Sequence, residues 1–180
     1  MPEEHDRSLR PLRSADVRVI AAWAGDPGFC QEAEWTADLP VEGHRSFWSD
    51  LIEQPPKDLL RLGAVQQATV VGYVDLHGLE AGRRELGYVI GDSARWGHGL
   101  GGRAASAGVR HGFRCLELDE IWAEALDANE LSVRSLQRLG MQETGRVSDG
   151  TFLNEPTFYR QFTISAATWK ASLAPVSGTG

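Results

Sequence analysis

Between Ile90 and Arg103 the chain reads GDSARWGHGLGG, and four of the six residues from Gly97 to Gly102 are glycine. Small residues let a row of backbone N–H groups converge on one concavity, and a helix starting there adds its own unpaired amides. The chemistry that suits such a loop is the binding of a phosphate or pyrophosphate. Gly97, Gly99 and Gly102 also satisfy G-x-G-x-x-G, with Asp119 and Glu120 following in the place where a ribose-binding acid could fall. That pattern alone is weak, because glycine-rich turns satisfy it by chance. A second group is acidic and aromatic: FCQEAEW sets Glu32 and Glu34 beside Trp35, with Trp48 further on. Carboxylates among rings suit a cationic amine, and the same rings serve equally well as plain core. Cys30 and Cys115 fit neither a metal spacing nor a disulfide framework, so no metal is expected.

These residues need elements to hold them. A strand near 8–13 leads into a helix from Ser14, a suitable N-cap, through ADVRVIAAWA. DPGFCQEAEWTADLP reads as loop, and a helix over about 41–54 puts His44, Trp48, Leu51 and Ile52 on one face. Strands near 57–65, 69–77 and 84–90 are joined by short turns, which makes antiparallel hairpins. A helix over about 100–116 follows the glycine loop, with Ala105, Val109, Phe113 and Leu116 as its apolar stripe and Arg103, Arg110 and Arg114 on the solvated side. IWAEAL is a strand, 129–139 is a helix stopped by Gly140, and strands near 141–147 and 157–164 precede a last helical turn in SAATWK. The order predicts one domain over 8–170, a mixed sheet with helices on its faces, between flexible ends at 1–7 and 171–180.

That order argues against a dinucleotide fold. There the first glycine makes the tight turn directly after the strand, whereas six residues separate Ile90 from Gly97. Asp119 and Glu120 lie before IWAEAL, at the amino end of the strand whose carboxyl end should carry the ribose acid. The cradle therefore suits a pyrophosphate on some other ligand. A net charge of −7 offers no basic groove for nucleic acid. The N-terminus has no apolar signal region and no run approaches a membrane span, so the expected location is cytoplasmic.

The segment Glu85–Met141 resembles the GNAT superfamily of acyl-CoA-dependent N-acyltransferases, in its ribosomal-protein-alanine-acetyltransferase-like (RimJ/RimL-type) branch. The family's coenzyme A loop, [R/Q]-x-x-G-x-[G/A], is matched from Trp96 through Gly99 and Gly101, with Trp in the first place as this branch often has. Downstream, NELSVRSLQRLGM fits N-x-x-S-[IV]-R-x-L-x-[KR]-x-G-[FM] at Asn129, Ser132, Val133, Arg134, Leu136, Arg138, Gly140 and Met141. The resemblance implies an α/β (mixed α+β) single domain whose central, mostly antiparallel sheet splays open and carries helices on both faces. It implies an N-acetyltransferase that moves an acetyl group from acetyl-CoA, as co-substrate, directly to a primary amine. The rival is a catalytically silent acyl-CoA-binding sensor on the same fold.

Residue by residue, the resemblance implies that Val89 and Ile90 offer backbone to the pantetheine arm. The amides of Gly97, His98, Gly99, Leu100, Gly101 and Gly102 would hold the pyrophosphate, and Asn129 would reach the arm. Asn129 could equally be a helix cap or the neighbour of an Asp127–Glu130 capping box, and Arg138 could meet the 3′-phosphate or simply face solvent. An amine with a pKa near about 10.4 is mostly protonated at neutral pH, so a base, desolvation or both must act. Glu85, fourteen residues before Gly99, matches the base of histone-type members, and Glu124, five before Asn129, matches that of another branch. Many members place a Tyr where this chain has Leu136; Ser132 is then the implied partner of the leaving thiolate. Glu34, Trp35 and Trp48 fall in the region that selects the acceptor. The expected partners are acetyl-CoA and an amine acceptor (a small molecule or a protein N-terminus), without nucleic acid or membrane, and a homodimer is the assembly to test.

Overall fold

The computed structural model describes residues 8–36 and 39–173; most of the residues read above as flexible ends lie outside them. In chain order the elements are β1 (Leu9–Pro11), α1 (Val17–Ala22), α2 (Pro27–Glu32), α3 (Val41–Glu53), β2 (Leu59–Gln66), β3 (Thr69–His77), β4 (Arg83–Ile90), α4 (Leu100–Cys115), β5 (Glu120–Leu126), α5 (Glu130–Arg138), β6 (Gln142–Phe152), β7 (Glu155–Ser165) and α6 (Ala166–Ser172). Seven strands form one sheet in the order β1-β2-β3-β4-β5-β7-β6. Every neighbouring pair is antiparallel except β4 with β5.

Alternation along the strands gives the sheet two apolar faces. On one, Val74, Leu86 and Ile90 meet Ala105, Val109 and Phe113 of α4, Val133 and Leu136 of α5, and Trp169 of α6. On the other, Tyr73 and Val70 meet Ile20, Trp23, Phe29 and Trp48 from the first three helices. No helix among the described residues is long and apolar enough to cross a membrane.

Five local readings change. DPGFCQEAEW is not all loop: Pro27 opens α2, and the Asp26 carboxylate accepts the Phe29 N–H at its start. Ser14 is not the cap of the first helix. It opens a 3₁₀ turn, Ser14–Asp16, and the Asp16 carboxylate reaches back to the Arg13 N–H at 2.8 Å. The last two strands run to Phe152 and start at Glu155, because Leu153 and Asn154 at positive φ make a two-residue hairpin turn. Leu116 lies beyond the end of α4 and is exposed, so it leaves the apolar stripe. Of the tail expected from 171, residues 171 and 172 belong to α6.

Candidate active site

The parallel pair β4–β5 is registered only over Arg83↔Glu120, Arg84↔Ile121 and Glu85↔Trp122. Past Glu85 the strands part, and α5 follows β5 while the glycine loop follows β4. The backbone direction in the open stretch is set by β3. Gly91 donates to the Val71 carbonyl at 3.0 Å, and in an antiparallel ladder the bonded pairs then alternate. With Tyr73 opposite Val89 and Gly72 opposite Ile90, the Val89 amide turns toward β3, and those of Tyr88 and Ile90 turn toward the gap. Val89, expected above to offer its backbone, therefore turns it to β3, and the residue lines the gap with its side chain. The Trp96 indole N–H donates to the Ile90 carbonyl at 2.9 Å, tying the first motif residue to the end of β4.

A cavity of about 440 Å³ fills this gap. At one end lies the start of α4. Asp26, Asn129 and Ser165 each cap a helix with a side chain, whereas no side chain caps α4. Its first bond, from Arg103 N–H to the Gly99 carbonyl, leaves the amides of Leu100, Gly101 and Gly102 without helical acceptors. Gly97 and Gly99 hold φ of +77° and +76°, which glycine adopts freely. A second tie steadies the loop: Ser93 N–H donates to Asp26 Oδ2 at 2.7 Å, joining it to α2. Arg95, Arg134 and Arg138 bring guanidinium groups to the cavity wall. Unpaired amides backed by cations, in a volume of this size, fit a pyrophosphate with a long arm.

Asn129 caps α5, its Oδ1 accepting the Ser132 N–H at 3.1 Å, and both residues line the cavity. The Asp127–Glu130 box does not form; Asp127 pairs with Arg160 at 3.2 Å and Glu130 with Arg134 at 2.7 Å. Leu136, 1 % exposed, belongs to the core.

Glu85 lies on the same strand face as Val89, four residues back, or about 13 Å along β4. Its cross-strand partner is His77, whose Nδ1 is 3.8 Å from Glu85 Oε2 and whose Nε2 is 3.1 Å from Asp58 Oδ2. Burial pushes the Glu85 carboxyl above its ordinary range, the Glu124 charge pushes it further, and His77 pulls it back. Glu124 accepts from Gln161 Nε2 at 3.3 Å. Burial also raises the Tyr159 phenol, and the charges of Glu34 and Glu124 add to the rise. Glu85, Glu124 and Glu34 thus gather around one acidic surface next to the splay.

The cavity brings together Gly97, Gly99, Leu100, Gly101, Gly102, Asn129, Ser132, Ile90 and the Val89 side chain. It does not include Glu85 or Glu124, nor His98, which is exposed, nor the three residues read as acceptor-binding. Trp48 is 2 % exposed in the core, and Trp35 packs on His44, Phe29 and Trp48. Those rings are structural, while Glu34 remains exposed on the acidic surface. Phe29, Glu32 and Ala33 of the α2 region line the cavity without having been assigned there, as do Tyr88 and Ser135. The Asp-Pro-Gly start of α2 was the available signal for the first group.

Residues 7–142 match the family described as Acetyltransferase (GNAT) domain. No curated protein matches the chain. Among solved structures, spermidine N-acetyltransferase from Vibrio cholerae, in complex with coenzyme A and spermine, superposes with a TM-score of 0.74 at 17 % identity, covering 90 % of this chain and 96 % of that one. An aminoglycoside acetyltransferase in complex with coenzyme A gives 0.72 at 16 %, covering 93 % and 99 %. Ribosomal-protein-S5-alanine acetyltransferase from Vibrio fischeri gives 0.70 at 20 %, covering 89 % and 93 %.

Proposed function

Because this chain belongs to the GNAT acetyltransferase family, we propose that it transfers an acetyl group from acetyl-CoA to a cationic primary amine by direct attack, without a covalent enzyme intermediate. The observation that carries the reading is the gap that opens between β4 and β5 past Glu85 and holds a cavity reaching the uncapped start of α4. The amides of Leu100, Gly101 and Gly102 hold the pyrophosphate, and Asn129 and the open backbone of Tyr88 and Ile90 line the arm. Residues 8–170 make up the catalytic unit. The NELSVRSLQRLGM match supports placing it in the ribosomal-protein-alanine-acetyltransferase-like branch.

Glu85 is the base. Burial and the Glu124 charge raise its carboxyl, which brings it nearer in basicity to the ammonium it must deprotonate. Glu124 and Glu34 hold the positive acceptor near it, since a cation among carboxylates is favoured while it stays charged. Ser132, on the cavity wall, faces the leaving sulfur. A panel of monoamines, polyamines, aminoglycosides and N-terminal peptides, read by release of the coenzyme A thiol, tests the function. Turnover with cationic amines supports it. Tight acetyl-CoA binding with no turnover across the panel would leave the protein as a silent acyl-CoA-binding module.

A further inference from the structure

The cavity has two walls that lie far apart in the chain. One is α2 and the residue after it, with Phe29, Glu32 and Ala33; the other carries Arg95, Trp96 and the glycines of the loop. The segment that leads into those glycines is sharply bent, with Asp92 at φ +65°, a conformation that L side chains rarely adopt. It is fastened at three places. Gly91 N–H donates to the Val71 carbonyl at 3.0 Å, the Trp96 indole to the Ile90 carbonyl at 2.9 Å, and Ser93 N–H to Asp26 Oδ2 at 2.7 Å. The first two hold it to the sheet. Among the described residues, only Asp26 and Ser93 tie it by hydrogen bonding to the start of α2.

Asp26 uses both carboxylate oxygens. Oδ1 accepts the Phe29 N–H at 3.2 Å and caps α2, while Oδ2 reaches a residue 67 positions on. A cap alone needs one oxygen, and a serine would serve. The Ser93 hydroxyl and amide, with the Phe29 amide, hold the Asp26 carboxyl below its usual range, so it keeps both bonds as an anion at neutral pH. With six residues, α2 is too short to hold a helix by itself. Its place is set by Phe29 and Cys30 in the core and by this carboxylate at its start. At the other end of the loop, the amides of Leu100, Gly101 and Gly102 gain acceptors when a pyrophosphate enters. We propose that Asp26 is a positioning residue: through Ser93 it couples the cradle to the α2 wall, so that bound coenzyme A fixes the wall the acceptor meets. This rests on the cradle reading above.

A pyrophosphate bound by the cradle amides draws the loop onto itself, and the loop is then held at both ends. The oxygen that the loop shares with α2 is held with it. The short helix gives up its freedom on coenzyme A binding, and an acceptor that enters afterwards has less ordering left to do. Acetyl-CoA therefore raises the affinity for the acceptor, and by linkage the acceptor raises that for acetyl-CoA by the same factor. The tie touches neither Glu85 nor Ser132, so its effect falls on binding and not on the chemical step.

Asp26→Ser separates the tie from the cap, since a serine can cap Phe29 and is too short to reach Ser93 as well. The probe is coenzyme A, and the readout is backbone amide hydrogen exchange, which needs no acceptor. In the wild type, coenzyme A should slow exchange by about fivefold or more both at the start of α4 and at Phe29 and Cys30 of α2. In Asp26→Ser the slowing at α4 should remain and that at Phe29 and Cys30 should vanish, with coenzyme A bound about threefold to tenfold more weakly. Without ligand, Phe29 and Cys30 of this variant should exchange within about threefold of the wild type, because the cap is kept. Asp26→Ala loses cap and tie together and should exchange faster there even without ligand. For an accepted amine, Asp26→Ser should raise the acceptor KM about fivefold or more at saturating acetyl-CoA, with kcat within about twofold. Equal slowing at Phe29 and Cys30 in wild type and Asp26→Ser, or none in the wild type, would overturn the proposal. Coenzyme A that leaves the α4 amides untouched would instead overturn the cradle reading, and the coupling with it.

Discussion

Glu85 is pushed toward its protonated form by burial and by Glu124, and toward its ionised form by His77. A base must be ionised to act, so activity falls as pH drops through its raised pKa, and the acidic limb of kcat/KM should lie above the ordinary carboxylate range. The two neighbours then move that limb in opposite directions. Glu124→Gln removes a negative charge and should shift it to lower pH; His77→Gln removes the stabilising partner and should shift it to higher pH. Glu85→Gln keeps the shape but takes no proton, and should lower kcat by roughly 10²–10⁴ with acetyl-CoA affinity intact. A pH–rate series on the four proteins checks this. If Glu124→Gln abolishes turnover and Glu85→Gln does not, Glu124 is the base.

Two parts of the chain, one at the cavity and one away from it, can be broken separately. At the start of α4, Gly101 borders both the amide cradle and the Tyr88 ring. Gly101→Asp would set a carboxylate against the pyrophosphate and strike that ring, and with charge-assisted bonds at about 1.5–3 kcal/mol each, coenzyme A should bind at least about a hundredfold more weakly. Calorimetry on the folded variant is the check; an unchanged Kd removes the cradle from this loop. At the other end of the chain, β1 is pinned to the first helix by Arg10 and Asp16, with contacts at 2.7 and 2.8 Å. Asp16 is buried, and its Arg10 partner and the Arg13 amide hold its carboxyl below the usual range. Its contribution is thus present above the unfolded-state pKa and is lost as pH falls through the depressed one. Asp16→Ala should destabilise by about 2–4 kcal/mol at neutral pH, because it leaves Arg10 without its partner and the Arg13 amide without its acceptor. Urea unfolding of wild type and variant at neutral and acidic pH should show the gap closing in acid.

At the scale of the whole molecule, a net charge of −7 and the gathered carboxylates Glu34, Glu85 and Glu124 should draw in cationic acceptors. That attraction is screened over about 8–10 Å at physiological ionic strength. For an accepted polyamine, KM should therefore rise with added salt, more steeply than for a monoamine, while the acetyl-CoA Kd should not follow the same slope. Steady-state kinetics across a salt series would show it, and a KM flat in salt would mean the acidic surface does not select the acceptor.

The residues alone determined the strand order, every helix but α2, and the antiparallel hairpins before the glycine loop. Periodicity and glycine spacing are local properties, so Ala105, Val109 and Phe113 could be placed on one face of α4 before any contact was known. Two motifs at a set separation also carried the family. The tertiary structure decided what local pattern cannot encode. Whether Trp35 and Trp48 face an acceptor or a core depends on which helices cover that side of the sheet, and here they are core. Which β4 amides face the gap depends on the register with β3, which turns Tyr88 and Ile90 outward and Val89 inward. Asp16, not Ser14, holds the turn before α1, and only the fold sets Arg10 of β1 alongside it.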